Sequence, residues 1–530
     1  MDLFSRFHKD KASEPAASKK KSSEVPKKVP VKASLDENLK QIKETLGYTN
    51  DLLIRELTLK GANGIKAAVL GIDGLINSQL VHQFIIHVLA IDLSDVDEKS
   101  PKSNKATFDL IFNSRISMID AKTSDDFEAM YSNLLNGHVI VLLDGVAKFM
   151  YFDCKGWQMR GVSEPQTEKA LWGPKDSFVE TIRVNTATLR RRIRDPRLRF
   201  DAHVVGKITK TDVFVAHIEG LTNPEFVEIA NQRIKQLDID TLSNSAELIQ
   251  LIEDPHHTVL PRLIETERPD RVTKSLSEGQ VAIFVDGSPY VVLGPFYFTS
   301  AFSAIDDYYV HPVFATFKRV LRYLSYFAVV LIPGFYIALS TFHQEMIPTS
   351  LLITIINQRA ANPFSTFVEI SIILILFEIL REASIRKPDA IGDSMTIVGS
   401  LIIGQTIVES GLVSYSAIIV GSVTTIASFL VSNSRVNFSA RIFTFVFMAI
   451  GATLGLYGIT LSFIILITHL SAITSFDQAY LAPFAPFNLQ DQKDELFKSP
   501  IQWLKKRPKI FKPLDSVRTG SGNRNQGGEN

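Results

Sequence analysis

A chain of 530 residues with 45% hydrophobic content and a formal net charge of +1 is too long for one domain and too balanced in charge for a dedicated nucleic-acid binder. The long apolar runs fall after residue 320, which predicts a soluble part followed by a membrane part. One cysteine, Cys154, excludes an intramolecular disulfide and a thiolate metal cluster, and fits the reducing side of a membrane.

The start, MDLFSRFHKDKASEPAASKKK, has no apolar core of signal-peptide length, so nothing in it is expected to carry this end across a membrane. Residues 1–33 hold nine Lys or Arg against four acids. Low hydrophobicity with proline and serine predicts a disordered basic tail, a solvated tether that can also touch anionic lipid. A helix start follows at Ser34, Asp36 and Glu37, with apolar spacing at Leu35, Leu39, Ile42 and Leu46 before Gly47.

Beyond this lead-in, two pairs of segments echo each other. AVLGIDGLIN (68–77) resembles FVAHIEGLTN (214–223), and LLNGHVIVLLDG (134–145) resembles LSEGQVAIFVDG (276–287). Order and spacing both repeat, which predicts two duplicated α/β subdomains. In each copy the first segment reads as a buried strand followed by an amphipathic helix, and the second as a strand entering an Asp-Gly hairpin. Asp144 and Asp286 are therefore turn residues first and a catalytic pair only second. His82 and His87, five apart on an α-helix, would lie about 140° apart around its axis, poor geometry for one metal. No Walker loop, G-x-G-x-x-G or G-x-S-x-G is present, so no enzyme, cofactor or metal is expected.

Residues 160–200 carry Arg160, Glu164, Pro165, Gly173, Pro174, Phe178, Glu180, Asn185, Arg190, Arg191 and Arg192. In this set the chain resembles the spore germination receptor A-subunit family, the GerA family, with Trp172 standing where that family has arginine. The arginines are interspersed with Glu164, Glu168, Asp176, Glu180, Asp195 and Asp201. That mixture fits an ion-pair network or an interface, with Arg160, Glu164, Arg190, Arg191 and Arg192 as candidates, better than nucleic acid.

Lys318, Arg319 and Arg322 precede the uncharged run Tyr323 to Phe342, which as a helix would rise about 30 Å, enough to cross a bilayer. Positive charge places the N-terminal region on the cytoplasmic side. Pro333-Gly334 should weaken that helix. Further crossings are read at 364–380, in a hairpin built from 394–411 and 413–431, and in two short passes of 442–473 broken at Tyr457-Gly458, for a total of four to six. Gly451-x-x-x-Gly455 and Ala417-x-x-x-Gly421 permit close helix approach.

Between the first two crossings, TSLLITIINQRAA has Leu351, Leu352, Ile355 and Ile356 on one side and Ser350, Thr354 and Asn357 on another. The polar face is a candidate pore lining if several copies meet; the alternative is an interfacial helix lying flat on the outer surface. Glu369 and Glu409 have no local cation and, with Glu345 on the preceding loop, are candidates for gating or ion interaction. Glu378 can reach Arg381, three residues on.

Resemblance to the GerA family is densest here, in FHQEMIPTSLL, FEILREA, IVGSLIIGQ and YLAPFAP, and extends over residues 35–510. Ala361-Asn362-Pro363-Phe364 and His311 depart from its pattern. The resemblance implies a multi-pass protein of the bacterial spore inner membrane that acts with a transporter-like B subunit and a C-subunit lipoprotein. It also implies a homo-oligomer, a pentamer, forming a nutrient-gated ion channel that triggers germination. A non-conducting scaffold coupling a transporter-like sensor to another channel is the alternative. The expected layout is a tail (1–33), a helical lead-in with the first α/β subdomain (34–185), a second α/β subdomain (186–300), a juxtamembrane linker (301–322), an α-helical transmembrane domain (323–475) and a cytoplasmic tail (476–530).

Overall fold

In the computed structural model the echoed segments become paired strands. The structure describes residues 29–47, 49–59, 64–90, 103–116, 121–156, 165, 167–168, 172–255, 258–360, 362–385, 405–407 and 409–518. The first 28 residues of the expected tail, Arg160, Glu164 and most of the expected 394–411 crossing lie outside them. The described chain forms two compact units. One holds residues 29–40, Ile54–Leu70 and Gln79–Cys154; the other holds Gln41–Leu53, Gly71–Ser78 and 155–518.

The first sheet follows helix α1 (Leu35–Leu46) and contains β1 (Leu52–Thr58), β2 (Lys66–Ile72), β3 (Ala121–Ser124), β4 (His138–Leu143) and β5 (Phe149–Asp153), in the order β1-β2-β4-β5-β3. Its helices are α2 (Ser78–Val81), α3 (Asn104–Leu110) and α4 (Phe127–Leu135). After α2 the chain runs through a π-turn, His82–Ile86, whose wider winding bonds the His87 N–H to the His82 carbonyl. The 140° separation expected of these histidines therefore does not hold, because it assumed 3.6 residues per turn. Among the described residues no group of three His, Cys, Asp or Glu is placed to hold a metal.

The second sheet follows α5 (Ile182–Arg192) and contains β6 (Leu198–Val205), β7 (Thr211–Ile218), β8 (Ile264–Thr266), β9 (Val281–Val285) and β10 (Val291–Gly294), in the order β6-β7-β9-β10-β8. Its helices are α6 (Pro224–Lys235), α7 (Ser245–Ile252) and α8 (Pro269–Glu278). The strand order is that of the first sheet, and so is the register: Val69 faces Val141 across antiparallel β2 and β4, and Val215 faces Ile283 across β7 and β9. Val213, Val215, Val281, Ile283 and Val285 pack into one core with α6 and α7; Ala216, Ala282 and Phe284 pack into another with α5 and α8. Burial on both faces is why these strands read as continuous apolar runs rather than alternating ones.

The two Asp-Gly turns do more than reverse the chain. Asp144 Oδ1 accepts the Leu35 N–H at the start of α1, and Asp286 Oδ1 accepts the Ile182 N–H at the start of α5, both at 3.0 Å. Each carboxylate thus satisfies one of the amide groups that a helix start leaves without a partner. Asp286→Ala or Asp144→Ala is expected to lower stability by about 0.5–2 kcal/mol; thermal unfolding of the purified chain measures it, and an unchanged midpoint would remove the capping role.

The apolar helices follow. α9 (Pro312–Thr341) contains Pro333, which cannot donate to the Val329 carbonyl. Thr444 Oγ1 stands 2.8 Å from that oxygen and 2.9 Å from the Ala440 carbonyl of its own helix, so its one proton can serve the Val329 carbonyl in the missing donor's place. Gly334 has the Phe447 carbonyl so close that a Cβ would meet it at 2.7 Å. The expected weak point is therefore a helix-packing site. α10 (Thr349–Ala360), α11 (Thr366–Ile385), α12 (Tyr415–Leu430) and α13 (Ser434–Ala472) complete the set.

α13 is not straight. Gly455 has φ 61° and ψ −148°, outside helical space, and there the chain turns back on itself. Arg435 near one end bonds Glu265 at 2.7 Å, His469 near the other bonds Thr258 at 2.9 Å, and Gly455 packs beside Phe342 and His343 at the far end of α9. The break expected at Tyr457-Gly458 lies at Gly455, because only there does the backbone leave the helix. Among the described residues, α9 and α13 are long and apolar enough to cross a membrane.

The expected juxtamembrane linker, 301–322, and the residues just before it are packed against neighbours. Phe296, Phe298 and Phe302 continue the second sheet's core into Tyr326 and Val329 of α9 and on to Phe447, Leu466 and Tyr480.

Candidate functional site

α10 begins after Pro348 and is held to the rest of the chain lightly. Ile355 is its buried residue, Gln358 meets Ser416 Oγ at 3.3 Å, and Arg359 approaches the Ser340 carbonyl at 3.5 Å. Ser350, Thr354 and Asn357 are exposed, with the Thr354 hydroxyl donating back to the Ser350 carbonyl at 3.0 Å. Leu351, Ile353 and Ile356 are exposed as well. The polar face of this helix thus lacks cover within a single chain, and its apolar face is covered at Ile355 and in part at Leu352, an arrangement that suits assembly or lipid contact.

The candidate acids separate. Glu345 is exposed on a 3-10 turn, Gln344–Met346. Glu409 is exposed and accepts from Gln405 at 2.9 Å. Glu369 is fully buried: Ser414 Oγ donates to it at 2.7 Å, the Ser414 N–H at 3.4 Å and Asn362 at 3.3 Å. Ser414 is the N-cap of α12, so the carboxylate occupies the positive end of that helix. Tyr336 donates to Ser416 Oγ at 2.9 Å, and Ser416, 3.3 Å from Gln358 Oε1 of α10 and 3.5 Å from Ser414 Oγ, can give its one proton to either, so Gln358 and Glu369 belong to one polar cluster. Among the described residues no cation forms an ion pair with Glu369. Glu378 pairs mainly with Arg441 on α13 and reaches Arg381 only at 3.9 Å, so its expected partner is the secondary one.

The arginine set resolves into particular pairs. Arg190 is fully buried; its Nε and Nη2 donate to Asp51 at 2.7 and 3.1 Å, and Phe200 lies under its guanidinium. Arg192 grips Asp176 through both oxygens, at 2.5 and 2.7 Å, and Arg191 is exposed. A buried bidentate pair such as Arg190 with Asp51 is structural, since exposing either partner would strand the other.

A second charged cluster escaped the sequence reading in part. Asp307, fully buried, accepts from Arg322 at 2.6 Å and Arg319 at 3.2 Å, both on α9. Arg319 also donates to the Asp494 carbonyl and to Ser303 Oγ. Tyr308 donates to Asp494 Oδ1 at 3.0 Å, and its ring lies between the ammonium groups of Lys274 (3.1 Å) and Lys498 (3.6 Å). Burial pushes the Glu495 carboxyl up to about 7 and the Lys498 ammonium down to about 8. Burial acts upward on Asp494 too, yet Lys274, Lys498 and Arg319 hold it below the usual carboxylate range. Four elements converge here: α8, the turn at 305–308, the start of α9 and the tail at 494–498. Displacing one must disturb the others, because Asp307 is neutralised by Arg319 and Arg322 of α9, and Arg319 and Tyr308 in turn reach Asp494 of the tail, which Lys498 pairs from within the same segment. Arg319 and Arg322 were marked in the sequence as charges before the apolar run; Asp494, 175 residues from Arg319 and 186 from Tyr308, gave no local signal.

The family model described as Bacillus/Clostridium GerA spore germination protein matches residues 40–510. Spore germination protein KA of Bacillus subtilis is 35% identical over 93% of this chain and 90% of its own length. Spore germination protein B1 of the same organism is 35% identical over 92% of this chain and 99% of its own. The crystal structure of the N-terminal domain of the A subunit of the Bacillus megaterium spore germinant receptor GerK3 covers 51% of this chain and 98% of that domain, at 28% identity and a TM-score of 0.40.

Proposed function

The chain belongs to the GerA spore germination protein family, and from that premise we propose that it is the A subunit of a nutrient receptor in the spore membrane. Several copies associate into a ion channel that opens when nutrient is sensed. The observation that carries this reading is α10, which presents Ser350, Thr354 and Asn357 on one side, all exposed in a single chain, while the opposite side buries Ile355 and leaves Leu351 and Ile356 exposed. Copies arranged in a ring, a pentamer, would turn the polar face to a common water-filled path and cover the apolar one.

The remaining parts take roles consistent with that assembly. α9, α11, α12 and the two arms of α13 are membrane crossings; with the expected pass at 394–411, most of which lies outside the described residues, the count is six, which returns the tail to the same, cytoplasmic, side as the α/β sheets. Matching strand order and register support a duplication of one α/β unit. A transporter-like B subunit and a C-subunit lipoprotein complete the receptor, and the chain itself is not an enzyme. Glu369, in the polar cluster with Ser414 and Ser416 that reaches Gln358 of α10, holds that helix in its closed position, a role its burial and contacts support.

Reconstitution tests the conduit. Thr354→Leu and Asn357→Leu are expected to accumulate normally and to abolish ion flux through vesicles carrying the complex, because an apolar ring excludes water from a narrow path. Unaltered flux in both variants would reject α10 as the wall. Absence of flux from the unsubstituted complex with nutrient present would favour a scaffold over a channel.

A further inference from the structure

The tail beyond the apolar helices carries an exposure that the channel reading does not use. Phe487, Leu489, Phe497 and Trp503 are 55–71% exposed, although burying such side chains is worth about 1.5–3 kcal/mol each. They are not on a loose end. Thr299 Oγ1 donates to the Ala482 carbonyl at 3.2 Å, Asp491 accepts the Lys509 and Ile510 N–H groups at 2.9 and 3.1 Å, and the Lys498 N–H donates to Thr316 Oγ1 of α9 at 3.0 Å. The segment is held to the rest of the chain by these bonds, and its exposed side chains include these four large apolar ones.

Charge indicates what covers it. One groove of this segment is lined by Leu489, Trp503, Lys493, Lys505 and Lys506 and by no carboxylate. Among the described residues none of these three lysines forms an ion pair. The surface adjoins the start of α9, where Phe314, Phe317 and Leu324 are exposed beside Lys318. Aromatic side chains interleaved with lysines next to a helix entering a bilayer match the headgroup level of an anionic leaflet: the rings enter the acyl boundary and the ammonium groups meet phosphates.

We propose that residues 483–506 form a membrane-surface platform that binds anionic phospholipid, with Trp503, Leu489 and Phe487 inserted and Lys493, Lys505 and Lys506 on the headgroup phosphates. The platform anchors the tail, and through Asp494 and Lys498 it holds the charged cluster at the start of α9 against the leaflet. This rests on α9 being a membrane span.

The test uses the full chain with Trp157→Phe and Trp172→Phe, leaving Trp503 as the tryptophan of the three, reconstituted in phosphatidylcholine vesicles with or without phosphatidylglycerol. With the anionic lipid present, Trp503 is expected to be quenched by lipids brominated near the headgroup and shielded from acrylamide. Lys493→Gln, Lys505→Gln and Lys506→Gln together should abolish the difference between the two lipid compositions. Should the tryptophan background fail to fold, Leu489→Cys carrying an environment-sensitive dye gives the same readout, since Cys154 is buried and its thiol is pushed up to about 12, chiefly by that burial. Trp503 open to acrylamide in both vesicles, or shielded only after a partner subunit is added, overturns the proposal. A chain that fails to float with vesicles at all would refute the spanning reading of α9 instead.

Discussion

Asp307→Ala is expected to destabilise the folded chain by about 3–5 kcal/mol, among the largest effects of any single substitution in it. Removing the carboxylate leaves Arg319, fully buried, and Arg322, nearly so, without the group that both donate to. Arg319 cannot reach water from its place at the start of α9, Arg322 reaches it over only a small part of its side chain, and a guanidinium does not escape by losing its proton. The measurement is the thermal midpoint of the purified chain in detergent, with Asp307→Asn as the companion variant. Asparagine keeps one acceptor but no charge, so it should fall between the parent and alanine. A loss below about 1 kcal/mol for alanine would mean that water enters the cluster and that it is not the rigid junction described above. Coupling between the α/β region and α9 would then have to run through the aromatic core alone.

Gly455→Val is expected to prevent the α13 hairpin from closing, with little chain accumulating in the membrane fraction. Two separate costs coincide there. The backbone angles of Gly455, φ 61° and ψ −148°, belong to a region that is essentially glycine's alone, worth about 1–3 kcal/mol to any other residue. A Cβ would also meet His343 at 2.9 Å and Phe342 at 3.1 Å. Straightening the helix is no remedy, because Arg435 and His469 would lose their attachments to Glu265 and Thr258. Normal accumulation with an unchanged thermal midpoint would show that the reversal is dispensable and that α13 tolerates a straight course.

Much of this architecture was readable one residue at a time. The echo between AVLGIDGLIN and FVAHIEGLTN, and the two Asp-Gly turns, marked the strands that pair in equal registers, since strand patterning and turn chemistry are properties of a few adjacent residues. The start of α1, the apolar helices and the polar stripe of α10 were legible for the same reason. The breakdown came at partners. Nothing near Glu369 in the chain announces Ser414, nothing near Glu378 announces Arg441, and Pro333 does not show that Thr444 supplies a donor to the carbonyl it leaves without one.

By itself the sequence determined the four strands β2, β4, β7 and β9, which helices are apolar, where the two Asp-Gly turns fall and which family the motifs resemble. Only the tertiary structure decided that Gly455 rather than Tyr457-Gly458 reverses the chain, that Glu369 caps α12, and that the tail at 494–498 closes the charged cluster around Asp307. The physical reason is one of range. Periodicity and capping act within a turn or two of the backbone, whereas a buried charge takes its partner from whatever element packing brings beside it, and that pairing is written nowhere along the chain.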